Sequence, residues 1–267
     1  MAVITISRGS YSRGKEIAEK VAQKLGYGCV SREVILEAHE EFGVPEVKLV
    51  QAITNAPSIL ARFTSGKRRY VAYVEAALLQ RVARRSVVYH GLAGQFLLRN
   101  VPHVLKVRVL ADMEDRVAAQ MERDGSPRDQ ALRLLRNDDA ERRKWSQALY
   151  GIDTADPSLY DIVLHIGQLR VDDAVEIICR TSKLEQFQST AESQAQIEDL
   201  ALAAEAKAGL LHLDPDVVVR AEKGVLHVHT KTLLAQEHQI VAKVEAAVLA
   251  LEGVRQVKVH TVPIDTY

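Results

Sequence analysis

The pattern that most limits how this chain can fold is a glycine, four residues, then Gly-Lys: Gly9-Ser10-Tyr11-Ser12-Arg13-Gly14-Lys15. It follows Ala2 to Ser7, which alternate and are rich in β-branched residues. It precedes Lys15 to Leu25, where apolar residues recur at Ile17, Ala18, Val21, Ala22 and Leu25. Alternation predicts a strand, the helical spacing predicts a helix, and Gly26 stops that helix. A tight loop between such a strand and helix aims successive backbone N–H groups and the positive helix end at one anion, while a following lysine reaches terminal phosphates. Gly9, Ser10, Tyr11, Ser12, Arg13, Gly14, Lys15 and Glu16 are therefore the candidate phosphate-binding residues.

A strand–loop–helix opening commits the rest of the chain to supplying partner strands. Short apolar runs at Ser86 to Tyr89, Val104 to Leu110 and Asp161 to Ile166 alternate with helical patterns such as Tyr70 to Arg84 and Asp112 to Arg123. This alternation predicts an α/β, doubly wound parallel sheet flanked by helices. Val171 to Arg180 reads as the helix closing this first domain, residues 1–180. Residues 181–197, rich in Ser, Gln and Glu, read as a linker, partly helical. A second unit follows over 198–267. It contains a helix at Leu200 to Leu211, strands at Val217 to Ala221 and Val225 to Thr230, a helix at Ile240 to Leu251, and a strand at Val254 to Val262. That order predicts a small α+β (αββαβ) domain.

Charge decides where an anion can be held. The chain has 35 basic and 35 acidic residues, so no global field draws it to nucleic acid or an anionic membrane, and phosphate binding must come from a local site. No apolar run approaches the roughly 18 residues of a membrane span, and the first residues lack the features of a signal peptide. Cys29 and Cys179 lie far apart in apolar stretches, which reads as buried free thiols in a reducing cytoplasm rather than a disulfide or a zinc site. The arginines between Ala111 and Tyr150, at 116, 123, 128, 133, 136, 142 and 143, read first as a solvated helix face.

Two positions depart from the usual phosphate-loop arrangement. The residue after the lysine, ordinarily a Ser or Thr whose hydroxyl serves magnesium, is Glu16. A carboxylate there either ligates magnesium or opposes the phosphates, and spacing leaves both open. The strand at Val87 to Tyr89 is followed by His90, where phosphoryl-transfer enzymes often place an acid. A lone histidine without partner ligands reads by default as structural.

The chain resembles the bacterial cytidylate kinase-like proteins, relatives of nucleoside monophosphate kinases, from about Val3 to Arg180. The matching segments begin with Ile4-Thr-Ile-Ser-Arg-Gly leading into Arg13-Gly-Lys-Glu-Ile-Ala, then Leu25-Gly-Tyr and Ser31-Arg32-Glu33-Val34-Ile35. They continue with Val87-Val-Tyr-His-Gly91, Val104-Leu-Lys-Val-Arg-Val, Met121-Glu-Arg123 and Asp139-Ala-Glu-Arg142. The resemblance implies ATP on the first loop with its magnesium, a nucleoside monophosphate or other small phosphate acceptor opposite, and an arginine-bearing lid. Lys15, Arg136, Arg142 and Arg143 become the catalytic candidates, and Arg32 the substrate-binding candidate. Ser31 stands where the family usually has Asp, and Leu92 where an Arg commonly follows Gly91. The implied function is an ATP-dependent phosphotransferase with a C-terminal regulatory module; the alternative is a catalytically degenerate nucleotide-binding sensor.

Leu200 to Val262 resembles a BON domain, ending in Gly253-Val-Arg-Gln-Val257. The resemblance implies a ligand- or protein-contact role, including contact between copies of the chain. His227 and His229 share one strand face and His260 suits a neighbouring strand, which reads as surface histidines before a metal site.

Overall fold

The computed structural model describes residues 2–31, 33–43, 45, 65–91, 94–98 and 100–263. Its first sheet contains β1 (Val3–Arg8), β2 (Gly28–Val30), β3 (Val87–His90), β4 (Val104–Ala111) and β5 (Ile162–Ile166). They lie in the order β2-β3-β1-β4-β5, every pairing parallel. β1 is central, and Val3 to Ser7 are buried, as a strand covered on both faces requires. The chain leaves β1 toward one edge and later passes beyond it to β4. The carboxyl end of β1 therefore sits where the strand order reverses, the place where open parallel sheets bind ligands.

Helix α1 (Gly14–Leu25) buries Ile17, Ala18, Val21 and Ala22, the stripe its spacing predicts. It ends in a left-handed turn at Gly26 (φ 69°). The Gly26 N–H donates to Gln23 O at 3.3 Å and the Tyr27 N–H to Ala22 O at 2.9 Å. This satisfies carbonyls the helix would otherwise leave open.

Further helices are α2 (Glu33–Phe42), α3 (Ser65–Arg84), α4 (Gly94–Leu97), α5 (Met113–Asp124), α6 (Arg128–Tyr150) and α7 (Val171–Thr181). α1 and α7 bury their apolar faces with Ile4, Ile6, Val107 and Val109 in one core. Cys179 is buried in this core and Cys29 is half-buried beside it. α5 and α6 meet through Val117, Ala131 and Leu135, while Trp145 near the end of α6 packs with Phe96, Leu159 and Tyr160.

A second compact unit holds α8 (Ala191–Leu210), β6 (Val218–Glu222), β7 (Val225–Thr232), α9 (Glu237–Val248) and β8 (Gln256–Pro263). β6 and β7 are antiparallel, β7 and β8 parallel. Leu202, Ala206, Leu210, Leu226, Val228, Val244 and Val248 form its core.

Two boundaries differ from the linear reading. The stretch read as linker is helical from Ala191 onward, because Ser193 and Ile197 are buried along α8 rather than solvated. The second unit also takes in α3, although α3 lies in sequence between β2 and β3. Ala72 of α3 joins the second core, Gln194 Nε2 donates to Ala83 O at 2.9 Å, and Arg69 Nη2 donates to Leu211 O at 3.2 Å. A helix follows the surface that buries it rather than its neighbours in sequence, so the unit boundaries cannot be linear.

Candidate phosphate site and its arginines

The loop leaves β1 at Arg8 and enters α1 at Gly14. Tyr11 (φ 57°) and Arg13 (φ 64°) both adopt the left-handed conformation, which non-glycine residues rarely take. Such strain is found where surrounding structure holds a functional turn. Ser12, buried, donates through Oγ to Gly9 O at 3.0 Å and closes the turn. Gly14 is needed for space: a Cβ there would lie 2.6 Å from Arg8 Cβ. The loop runs directly into the N-terminus of α1, whose partial positive charge and open N–H groups favour an anion.

A cleft of about 720 Å³ opens here, lined by Arg8, Ser10 to Lys15, Glu19, Cys29, Ser31, His90, Arg123 and Arg142. Its size falls within the range of roughly 300–1,000 Å³ usual for small-molecule sites. Six of the candidate loop residues, Ser10, Tyr11, Ser12, Arg13, Gly14 and Lys15, line it, while Gly9 lines a smaller neighbouring cavity. Lys15 is largely exposed and its Nζ stands 3.6 Å from Glu19. Glu16 does not line the cleft. Its carboxylate faces Lys20 Nζ at 3.2 Å and an Arg13 guanidinium nitrogen at 3.7 Å, so it is held along the surface of α1 by two cations. Among the described residues no three His, Cys, Asp or Glu side chains form a metal-holding group. The structure thus gives no support to Glu16 as the magnesium ligand. Arg32 and Leu92 lie outside the described residues.

The arginines separate sharply. Arg142 is half-buried and donates from Nη1 to Arg8 O at 2.9 Å and from Nη2 to Ser10 Oγ at 3.2 Å. Burial pushes its guanidinium below the ordinary range; Asp138 and Asp139 oppose the shift and the Arg116 charge adds to it. Arg143 lines the smaller cavity and pairs with Asp153 at 3.3 Å. Arg136 is exposed and lines neither space. Of the three lid candidates the structure places Arg142 against the loop and Arg143 at the smaller cavity, and it does not bring Arg136 to either.

Residues outside the first candidate set complete the site. Arg116, with its side chain 8% exposed, grips Asp139 with two bonds of 2.8 and 2.9 Å and donates from Nε to Ser10 O at 2.8 Å. Such a fork is the strong form of a charge-assisted bond. Ser10 Oγ donates to Asp138 at 3.1 Å. Arg123 reaches Tyr11 OH and lies over its ring, 5.7 Å from the centroid. Asp138, Asp139 and Arg142 of α6, with Arg116 of α5, therefore tie two helices to the loop's carbonyls and Ser10. The reading of this arginine run as a solvated face fails for 116 and 142. Arg8 and Arg108 were also missed, and each left a signal: Arg8 ends the central strand, and Arg108, like Lys106, is a charge set among the apolar residues of a strand.

Comparison with known proteins agrees with this architecture. The profile of the cytidylate kinase-like family matches residues 3–168, more than half of the chain. The cytidylate kinase of Pyrobaculum aerophilum is 27% identical over 178 residues, covering 66% of this chain and 90% of that protein. The cytidylate kinase of Ignicoccus hospitalis is 27% identical over 183 residues, covering 67% and 98% respectively. Among solved structures, an uncharacterized protein from Eubacterium ventriosum superposes with a TM-score of 0.53 at 22% identity over 68% of this chain and 98% of its own, a likeness of fold. With its strand order, its glycine loop and a family match spanning the whole first sheet, the chain belongs to the cytidylate kinase-like family.

Proposed function

We propose that this protein is an ATP-dependent phosphotransferase of the nucleoside monophosphate kinase type. The observation that carries the reading is the 720 Å³ cleft at the carboxyl end of β1, walled by Ser10 to Lys15 of the loop and by Arg8, Arg123 and Arg142. In this reading the loop's N–H groups and Lys15 hold the nucleotide phosphates. Arg142 turns from the loop carbonyl it now bonds toward the charge that develops on the transferring phosphoryl group. Arginines aimed at that charge in a water-poor site are the main source of acceleration for this chemistry, so no general base is invoked. The acceptor enters from the side of Cys29, Ser31 and His90, the remaining wall of the cleft. The similar proteins of Pyrobaculum aerophilum and Ignicoccus hospitalis are named cytidylate kinases, which makes cytidine monophosphate the first acceptor to test.

Phosphoryl transfer ordinarily uses magnesium brought with the nucleotide, held by phosphates, water and one or two carboxylates. The described cleft offers Glu19, already paired with Lys15, and no other carboxylate. Among the described residues, Glu19 is accordingly the one carboxylate of the cleft that could help hold it. That observation favours the second reading, a nucleotide sensor that binds without turnover. A coupled assay of ADP release over a panel of nucleoside monophosphates with magnesium separates the two. Turnover with at least one acceptor supports the kinase, and silence with intact ATP binding supports the sensor.

The C-terminal unit has the helix–strand–strand–helix–strand order expected of a BON-like module, and its proposed role is regulatory. Arg220 and Lys258 lie on its exposed sheet face. If Arg220→Glu with Lys258→Glu leaves both nucleotide affinity and turnover unchanged, a regulatory role for that face is excluded.

A further inference from the structure

The C-terminal sheet has a face that its core does not use. Along β7, Leu226, Val228 and Thr230 are buried, so His227, His229 and Lys231 turn the other way. The same side of β6 carries Val218, Arg220 and Glu222, and that of β8 carries Gln256, Lys258, His260 and Val262, all exposed. Strand register sets them in rows across the sheet: Arg220, His227 and Lys258 in one, Val218, His229 and His260 in the next. Charge is segregated onto this face. Between residues 198 and 263 the chain has nine Asp and Glu against seven Lys and Arg. The face nevertheless gathers Arg220, Lys231 and Lys258, and among the described residues Glu222 is its one acid.

A second observation is independent of charge. The His229 and His260 rings stack with centroids 4.6 Å apart and planes 15° apart, and His227 and His260 lie 5.8 Å apart at 5°. A base adds readily to such a row of nearly parallel rings, because every base has a π face. Rings two residues apart on a central strand, a third on the neighbouring strand and basic side chains beside them form the arrangement by which a sheet face takes up unpaired bases. The rings carry the bases, and Arg and Lys carry the phosphates. The face suits other anionic partners less. A membrane contact or a protein interface calls for large apolar or aromatic anchors, whereas the apolar residues here are Val218, Val225 and Val262, at the margins.

We propose that this face binds a short stretch of single-stranded nucleic acid. About two or three bases stack on His227, His229 and His260, while Arg220, Lys231 and Lys258 hold the phosphates. Strands about 4.8 Å apart make the face about 10 Å wide, enough for one strand laid across it. A chain with no net charge gains this affinity because its cations are gathered on one surface, not because they are many. The surface is separate from the Gly9–Lys15 loop, and the proposal does not rest on the kinase reading above.

The test is fluorescence anisotropy of the full-length chain with labelled oligouridine and oligothymidine of about ten nucleotides, a length within the usual single-strand site sizes, at several salt concentrations. The logarithm of affinity should fall with the logarithm of salt at a slope of about two, as three phosphate contacts on a single strand require, and Lys258→Gln should lower that slope by about 0.7. His229→Ala with His260→Ala should weaken binding by about tenfold or more, and His229→Phe with His260→Phe, which keeps the rings without their nitrogens, should restore it. These side chains are exposed, so the substitutions read binding rather than folding. Lys15→Ala should bind both strands as the wild type does. Preference for oligouridine adds a contact to the 2′-hydroxyl, and equal affinity leaves bases and phosphates as the whole of the recognition. Absence of binding, wild-type affinity in the double alanine variant, failure of phenylalanine to restore it, or loss in Lys15→Ala overturns the proposal. Vesicles of phosphatidylglycerol and phosphatidylcholine run in parallel: a chain that binds them and neither oligonucleotide has a membrane contact on this face instead. Anisotropy reads no turnover, so a chain that binds the strands but transfers no phosphoryl group refutes the kinase reading and leaves this one standing.

Discussion

Lys15 and Arg116 carry charge for opposite purposes. Lys15 is exposed on the cleft and held only by a surface pair with Glu19, a kind of contact worth under about 1 kcal/mol. Its removal should therefore leave stability nearly unchanged and weaken nucleotide binding by about tenfold, about 1.4 kcal/mol, by titration calorimetry of Lys15→Ala. Arg116 is buried and spends its donors inside the protein, on Asp139 and Ser10 O. Arg116→Met should cost about 1.5–3 kcal/mol in denaturant unfolding, since bonds to charged groups are lost and a loop carbonyl is left bare. Motif spacing revealed Lys15 but could not reveal Arg116, because a glycine loop announces itself locally while a helical arginine is defined by what it meets.

His103 provides a pH-dependent test at the same scale. It is buried, neither ring nitrogen has a partner among the described residues, and burial pushes its pKa below the ordinary histidine value. The unfolded chain therefore takes up the proton first as pH falls. Its contribution is complete above the ordinary value of about 6.5 and declines as pH drops below it. The denaturant midpoint of the wild type should fall between about pH 7 and pH 5, and His103→Leu should flatten that fall. An unchanged slope in the variant would remove His103 from the account.

At the scale of elements, most boundaries follow from local chemistry. Gly26, Gly125 and Gly151 end α1, α5 and α6 with φ of 69°, 68° and 67°, where a side chain would be strained. Gly151→Ala should lower stability by about 1–2 kcal/mol, read as a shift of the thermal midpoint. α8 was less legible. Its alanines and scattered polar residues form no strong apolar stripe, and tertiary burial of Ser193 and Ile197 decides that it begins at Ala191. α6 was legible as a charged helix but not as the clamp on the loop, because sequence shows which residues share a helix face and not which strand end that face meets.

At the scale of the molecule, the chain gives its second unit a helix from the middle of its first. A chain ended after Thr190 would lose α8 and leave Ala72 of α3 without its core. The expected result is rapid proteolytic cleavage within α3 in the shortened chain and protection of α3 in the full one, measured by limited digestion. Equal protection in both would show that α3 is stable without α8.

By itself the sequence determined the phosphate loop, the alternation of strands and helices, and the order of elements in the C-terminal unit, since each is written in spacing over a few neighbouring residues. Only the tertiary structure decided that α3 joins the C-terminal unit, that Glu16 turns along α1 toward Lys20 and Arg13, that Arg136 stays outside, and that Arg8, Arg108, Arg116 and Arg142 converge beside the loop. Those outcomes depend on contacts between residues as much as 142 positions apart. The energies of burial and ion pairing that select them exist only once the chain has closed upon itself.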